Sequence, residues 1–134
     1  MPADGLITLA SSHGPTETMS RLETAVNTKG MSVFTRIDHA AGAANIGTFL
    51  RPTQVLIFGN PKGGTPLMQS TQTIGIDLPL RALVWQDASG KTWLSYNDPA
   101  WLAKRHALDR HLAASVDALS AALDAVAKTA TARA

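Results

Sequence analysis

The segment Gln54-Val-Leu-Ile-Phe-Gly59 restricts the fold more than any other stretch of the chain. Pro52 stands just before it, and Gly59-Asn60-Pro61-Lys62-Gly63-Gly64 closes it. Between such breakers there is no room for a helix, so the run reads as a strand. Successive strand side chains point to opposite faces, and here both sets are apolar. The segment is therefore expected to be a central strand covered on both sides. The rest of the chain has to supply its neighbours and a covering layer.

Leu6–Ser12 is expected to form the first strand. In "GPTETMSRLETAVNTKG", Pro15 suits a first helical turn and Glu17 complements the helix dipole. Met19, Leu22 and Val26 recur at spacings of three and four, and Gly30 ends the helix. "MSVFTRIDH" alternates, so Met31, Val33, Thr35, Ile37 and His39 are expected on one face. Thr65 and Pro66 predict the cap and first residue of a short helix. "RALVWQD" and "KTWLSYN" flank "DASGK" as a hairpin, with Gly90 free to take a positive φ. Asp98-Pro99 opens another helix. From Asp109 to about residue 127, Leu112, Val116, Leu119 and Leu123 keep a helical period, whereas residues 128–134 lack an apolar stripe and are expected to fray.

The order is strand, helix, four further strands and a C-terminal helix. Neighbouring strands without long crossovers give an α+β fold, β-α-β-β-β-β-α, with a largely antiparallel sheet and helices on one side. At 134 residues the chain is one domain, with enough length to bury a core.

Composition removes several functions. There is no cysteine, which excludes disulfides, thiolate catalysis and Cys-based metal sites. The formal charge is only +2 and the basic residues are scattered from Arg21 to Arg133, so no nucleic-acid footprint is expected. No apolar run approaches the ~20 residues of a membrane helix, and "MPADGLITLASS" lacks the features of a signal peptide. The reading is a cytoplasmic, soluble domain with no membrane partner. No metal set is apparent: His106 and His111 are five residues apart, off one helical face, and His13 lies in a loop beside Gly14-Pro15. Nothing in the sequence names a cofactor.

Two groups of residues can carry chemistry. Gly59 to Thr65 resembles half a phosphate loop, but Thr65 stands where the nucleotide version needs lysine, so it is not a Walker motif. Asn60, Lys62, Gly63, Gly64 and Thr65 can still cradle a small anion, using backbone N–H groups, a helix start and one positive charge. The same residues also serve a strand-to-helix turn, with glycine supplying a positive φ and Asn60 bonding its own backbone. The second group is His39 as a general base with Asp77 orienting it, since Asp38 points to the opposite face. Trp85, Trp93, Tyr96 and Trp101 read as packing residues.

Four stretches, "GMSVFTRIDHAAGA", "VLIFGNPKGGTPLMQ", "GIDLPLRALVW" and "VWQDASGKTWLSYNDPAWLAKRH", together resemble the domain of unknown function 302 family over residues 6–107. The resemblance implies a fold like the TATA-binding-protein repeat, found as a homodimer, and implies no activity. Three functional expectations follow. The leading one is a non-catalytic module for a small, anionic ligand, acting as a homodimer. The others are an enzyme using acid–base chemistry at His39 and Asp77, and a structural or protein-interaction domain.

Overall fold

The computed structural model describes residues 3–133. The apolar run folds as β3, Thr53–Gly59, inside a five-stranded sheet with β1 (Leu6–Ala10), β2 (Ser32–Asp38), β4 (Leu80–Gln86) and β5 (Thr92–Asn97). The strand order is β1-β5-β4-β3-β2, and every pairing is antiparallel. Helices α1 (Pro15–Thr28) and α5 (Ala113–Thr131) cover one face. Three shorter helices, α2 (His39–Asn45), α3 (Pro61–Ser70) and α4 (Pro99–Arg105), fill the connections. This is the α+β arrangement read from the strand and helix order.

Local chemistry accounts for the elements. Asp98 Oδ1 accepts from the Ala100 N–H at 3.0 Å to cap α4. Asp38 caps α2 through a 2.9 Å bond from the Ala41 N–H. Gly30 takes φ +78° just past α1, where a side chain would be strained. In the β4–β5 hairpin, Asp87 accepts from Trp93 Nε1 at 2.9 Å and from Ser89 Oγ at 2.8 Å. Those bonds, the indole first, hold its carboxyl down at about 2.

The core lies between sheet and helices. Leu22, Val26, Leu56, Phe58 and Leu94 are fully buried there, with Met19, Leu123 and Val126 beside them. A second cluster joins α3, the 3-10 turn Gln72–Ile76, α4 and α5 through Leu67, Ile74, Leu102, Leu112 and Val116.

Three expectations are corrected. β3 is covered on one face only: Leu56 and Phe58 are buried, while Val55 and Ile57 lie on the open side. The alternation of β2 breaks at a bulge between Val33 and Thr35, where Phe34 is the extra residue. Val33 therefore sits opposite buried Phe58, but Ile37 sits opposite Val55, and His39 follows it onto the open face. Residues 128–131 do not fray. Ala130 and Thr131 are buried, and the Ser12 N–H donates to the Thr131 carbonyl at 2.8 Å. The small alanine side chains let the helix approach the β1–α1 connection without a conventional apolar stripe.

Leu123 is 1% exposed in the main core. Leu123→Ala is expected to lower stability by ~2–5 kcal/mol, read from urea denaturation, because the site keeps a cavity.

Candidate functional site

The glycine-rich stretch is helical. Asn60 is the N-cap of α3 and Pro61 its first residue, so the helix starts five residues earlier than Thr65-Pro66 predicted. Neither Gly63 nor Gly64 has a positive φ, and Pro66 lies inside the helix. The Asn-Pro pair is itself a cap-and-first-turn signature, and packing against α5 and Leu78 offsets the poor helix propensity of two glycines.

This start consumes its own donors. The Lys62 N–H bonds Asn60 Oδ1 at 2.9 Å, and the Gly63 and Gly64 N–H groups bond the Asn60 carbonyl at 2.9 and 3.3 Å. Pro61 has none to give. The expected cradle of free N–H groups is thus closed, and Lys62 stands exposed beside it, with no ion pair among the described residues.

What the glycines do instead is leave space. A depression of about 230 Å³ opens at the start of α3. Gly59, Gly63 and Gly64 contribute bare backbone, and Asn60 and Thr65 give it a polar edge. Its walls are Met31, Phe34, Met68, Leu78, Leu80 and Leu119, drawn from sheet, connections and helices alike. A Cβ on Gly63 would lie 3.2 Å from Leu119 Cδ2, and one on Gly64 would lie 3.5 Å from Leu78 Cδ1. The bulge that displaced His39 also aims Phe34 at this pocket, 3.8 Å from where a Gly59 Cβ would be.

Residues 7–126 match the family described as domain of unknown function DUF302. The chain belongs to the DUF302 family. The fold agrees with the crystal structure of an uncharacterized conserved DUF302 protein from Bacillus stearothermophilus, at a TM-score of 0.85 and 23% identity, covering 96% of this chain and 99% of that one. The chain is also 57% identical over 104 residues to proteins named fluoride-specific ion channel FluC 1 in Brucella suis biovar 1 (strain 1330) and Brucella abortus biovar 1 (strain 9-941). That stretch is 78% of this DUF302 chain but 41% and 38% of the two Brucella proteins, so it spans about two fifths of their length. No helix among the described residues is long and apolar enough to cross a membrane.

The second expected group is not assembled. His39 is exposed on the open face of the sheet, in a shallow depression with Arg81, Trp85 and Asn97. Asp77 ends the 3-10 turn and turns toward α4 instead. His106 Nε2 lies 2.6 Å from its Oδ2, and Arg105 Nη1 donates to its two oxygens at 2.9 and 2.8 Å. Asp77 does orient a histidine, but a different one. His106 had little signal in sequence, because only the second core cluster brings residues 29 positions apart into contact.

The side chains of Asp77 and His106 are 14% and 9% exposed. Asp77→Ala is expected to cost ~1–3 kcal/mol, since it strands a buried imidazole N–H. His39→Ala is expected to change stability by less than ~0.5 kcal/mol. Paired thermal melts decide between the two assignments.

Proposed function

We propose that this DUF302 chain is a small-ligand-binding module whose site is the depression at the start of α3. The observation that carries this reading is a half-open, largely apolar depression of about 230 Å³ lined in part by glycine backbone. Pockets for drug-sized ligands run ~300–1,000 Å³, so the ligand is small. Apolar walls with two methionines suit an aliphatic or aromatic body and adapt to its shape. The bonded first turn disfavours a bare anion, which moves the anionic character to the rim. There Lys62 is exposed, next to pocket-lining Pro61 and Gly63. The class supported best is a small carboxylate with an apolar body, gripped by the walls and met by Lys62.

Melting temperatures with acetate, hexanoate, phenylacetate and phosphate test this. Hexanoate or phenylacetate is expected to raise the melting temperature, with acetate and phosphate inert. Gly64→Ala is expected to stabilise the free protein by up to ~1 kcal/mol through helix propensity, yet weaken binding by narrowing the pocket. Lys62→Ala is expected to leave the free protein within ~0.5 kcal/mol of wild type. Its loss of a charge-assisted bond, ~1.5–3 kcal/mol, is expected to weaken the carboxylate roughly ten- to hundredfold. A panel with no binder, or Lys62→Ala binding as wild type does, overturns the corresponding half of the reading.

A second reading, a homodimer, is favoured by the exposed edge. Among the described residues β2 has no outer neighbour, and Phe34 and Ile37 on it are 53% and 41% exposed, while Ile46 and Phe49 beyond α2 reach 81% and 80%. Such apolar exposure on an unpaired strand edge is characteristic of an association surface. Sedimentation equilibrium is expected to give a dimer that Ile37→Lys with Phe49→Ser converts to monomer. A wild-type monomer at high micromolar concentration removes this reading.

A further inference from the structure

The Asp77–His106 pair continues to a third group. On the far side of the ring, His106 Nδ1 lies 3.1 Å from Thr73 Oγ1. Asp77 is an acceptor at Nε2, so the ring proton is assigned to Nε2 and Nδ1 is left as a bare acceptor facing the Thr73 hydroxyl. Carboxylate, imidazole and hydroxyl thus stand in line, each within hydrogen-bond reach of the next. This is the relation of orienter, general base and nucleophile that is recognised by geometry rather than by chain position, here with the two ring nitrogens exchanged. The ring is nearly buried at 9% exposure, whereas Thr73 is exposed, so the base is held rigidly while the hydroxyl remains reachable. Arg105 grips the same carboxylate with one nitrogen, and its side chain is 49% exposed, leaving further N–H groups for an oxygen of an incoming molecule.

We propose that Thr73, His106 and Asp77 form an acyl-transfer site that acts on small carboxylic esters, distinct from the pocket at α3. Thr73 Oγ1 attacks the ester carbonyl carbon and its proton passes to His106 Nδ1. The C–O bond to the alcohol breaks, and that proton leaves with the alcohol. Water then attacks the acyl-threonine, giving one proton to Nδ1, which returns it to Thr73 Oγ1 as the acid departs. The net change is ester plus water to acid plus alcohol, with no oxidation or reduction. Asp77 is a positioning residue, fixing the ring and its tautomer. Thr73 is exposed, so turnover is slow and selectivity among short esters is low.

A merely structural triad, one that pins the 3-10 turn to α4, has the same contacts but no reactivity. p-Nitrophenyl acetate hydrolysis and labelling by a fluorophosphonate, mapped by mass spectrometry, separate the two. Wild type is expected to carry the adduct on Thr73. Thr73→Val changes an exposed hydroxyl to a methyl, so it keeps the fold; it is expected to lose the adduct and at least ~100-fold in rate. Thr73→Ser is expected to restore both, and His106→Gln to slow acylation by a similar factor. Wild-type hydrolysis at the buffer rate, an adduct on another residue, or Thr73→Val turning over as fast as wild type each overturns the proposal.

Discussion

Everything else in this molecule hangs on the burial of one face of β3. Leu56 and Phe58 are wholly buried against α1 and α5, and the five strands and two long helices are arranged around that contact. With both long helices on one side, the opposite face keeps Val55, Ile57 and Ile37 near solvent. β3 then ends at Gly59 at the margin of the core rather than beneath it. That position is what allows the next helix to start beside a void instead of inside packed side chains.

The glycines at that margin work by what they lack. A phosphate loop uses glycine so that backbone N–H groups converge on a ligand. Here Asn60 absorbs the first three available N–H groups of α3 with its side chain and its carbonyl. The backbone is helical and unstrained, so any L-residue could adopt it. The absent Cβ atoms matter because Leu119 and Leu78 come within ordinary contact or closer of where they would be. Two glycines inside a helix cost about 0.8–1 kcal/mol each relative to alanine, a cost offset by the close approach of Leu119 and Leu78.

The parts of this that were legible in sequence were those set by near neighbours along the chain. Helix α1 was readable because Pro15, the Met19–Leu22–Val26 stripe and Gly30 all act within one helix. The hairpin was readable from Gly90, and the antiparallel pairing from the run of strands that follows α1, whereas the placing of β1 beside β5 was not. What failed depended on a single residue's register or on distant contacts. One bulge at Phe34 reversed the face of Ile37 and His39, since a one-residue slip flips every later side chain. The partner of Asp77 was hidden because Asp77 and His106 lie on elements distant in sequence, brought together by packing of Ile74, Leu102 and Leu112. The start of α3 was misplaced because Gly63-Gly64 argued for a loop more loudly than Asn60-Pro61 argued for a cap.

The second core cluster therefore deserves to be seen as the organiser of both chemical features. It fixes α3, whose first turn opens the pocket, and it brings the 3-10 turn against α4, which aligns Thr73, His106 and Asp77. Leu119 links it to the main core: it packs against both clusters, lines the pocket, and faces Gly63. Leu78 belongs to the same bridge, lining the pocket while its neighbour Asp77 holds His106. Leu78 and Leu119 both line the pocket, and Leu78 directly follows Asp77, the residue that closes the 3-10 turn. Close-packed interiors transmit displacements rather than absorb them. The pocket lining and the Asp77–His106 pair are thus neighbours in the packing, joined through Leu78.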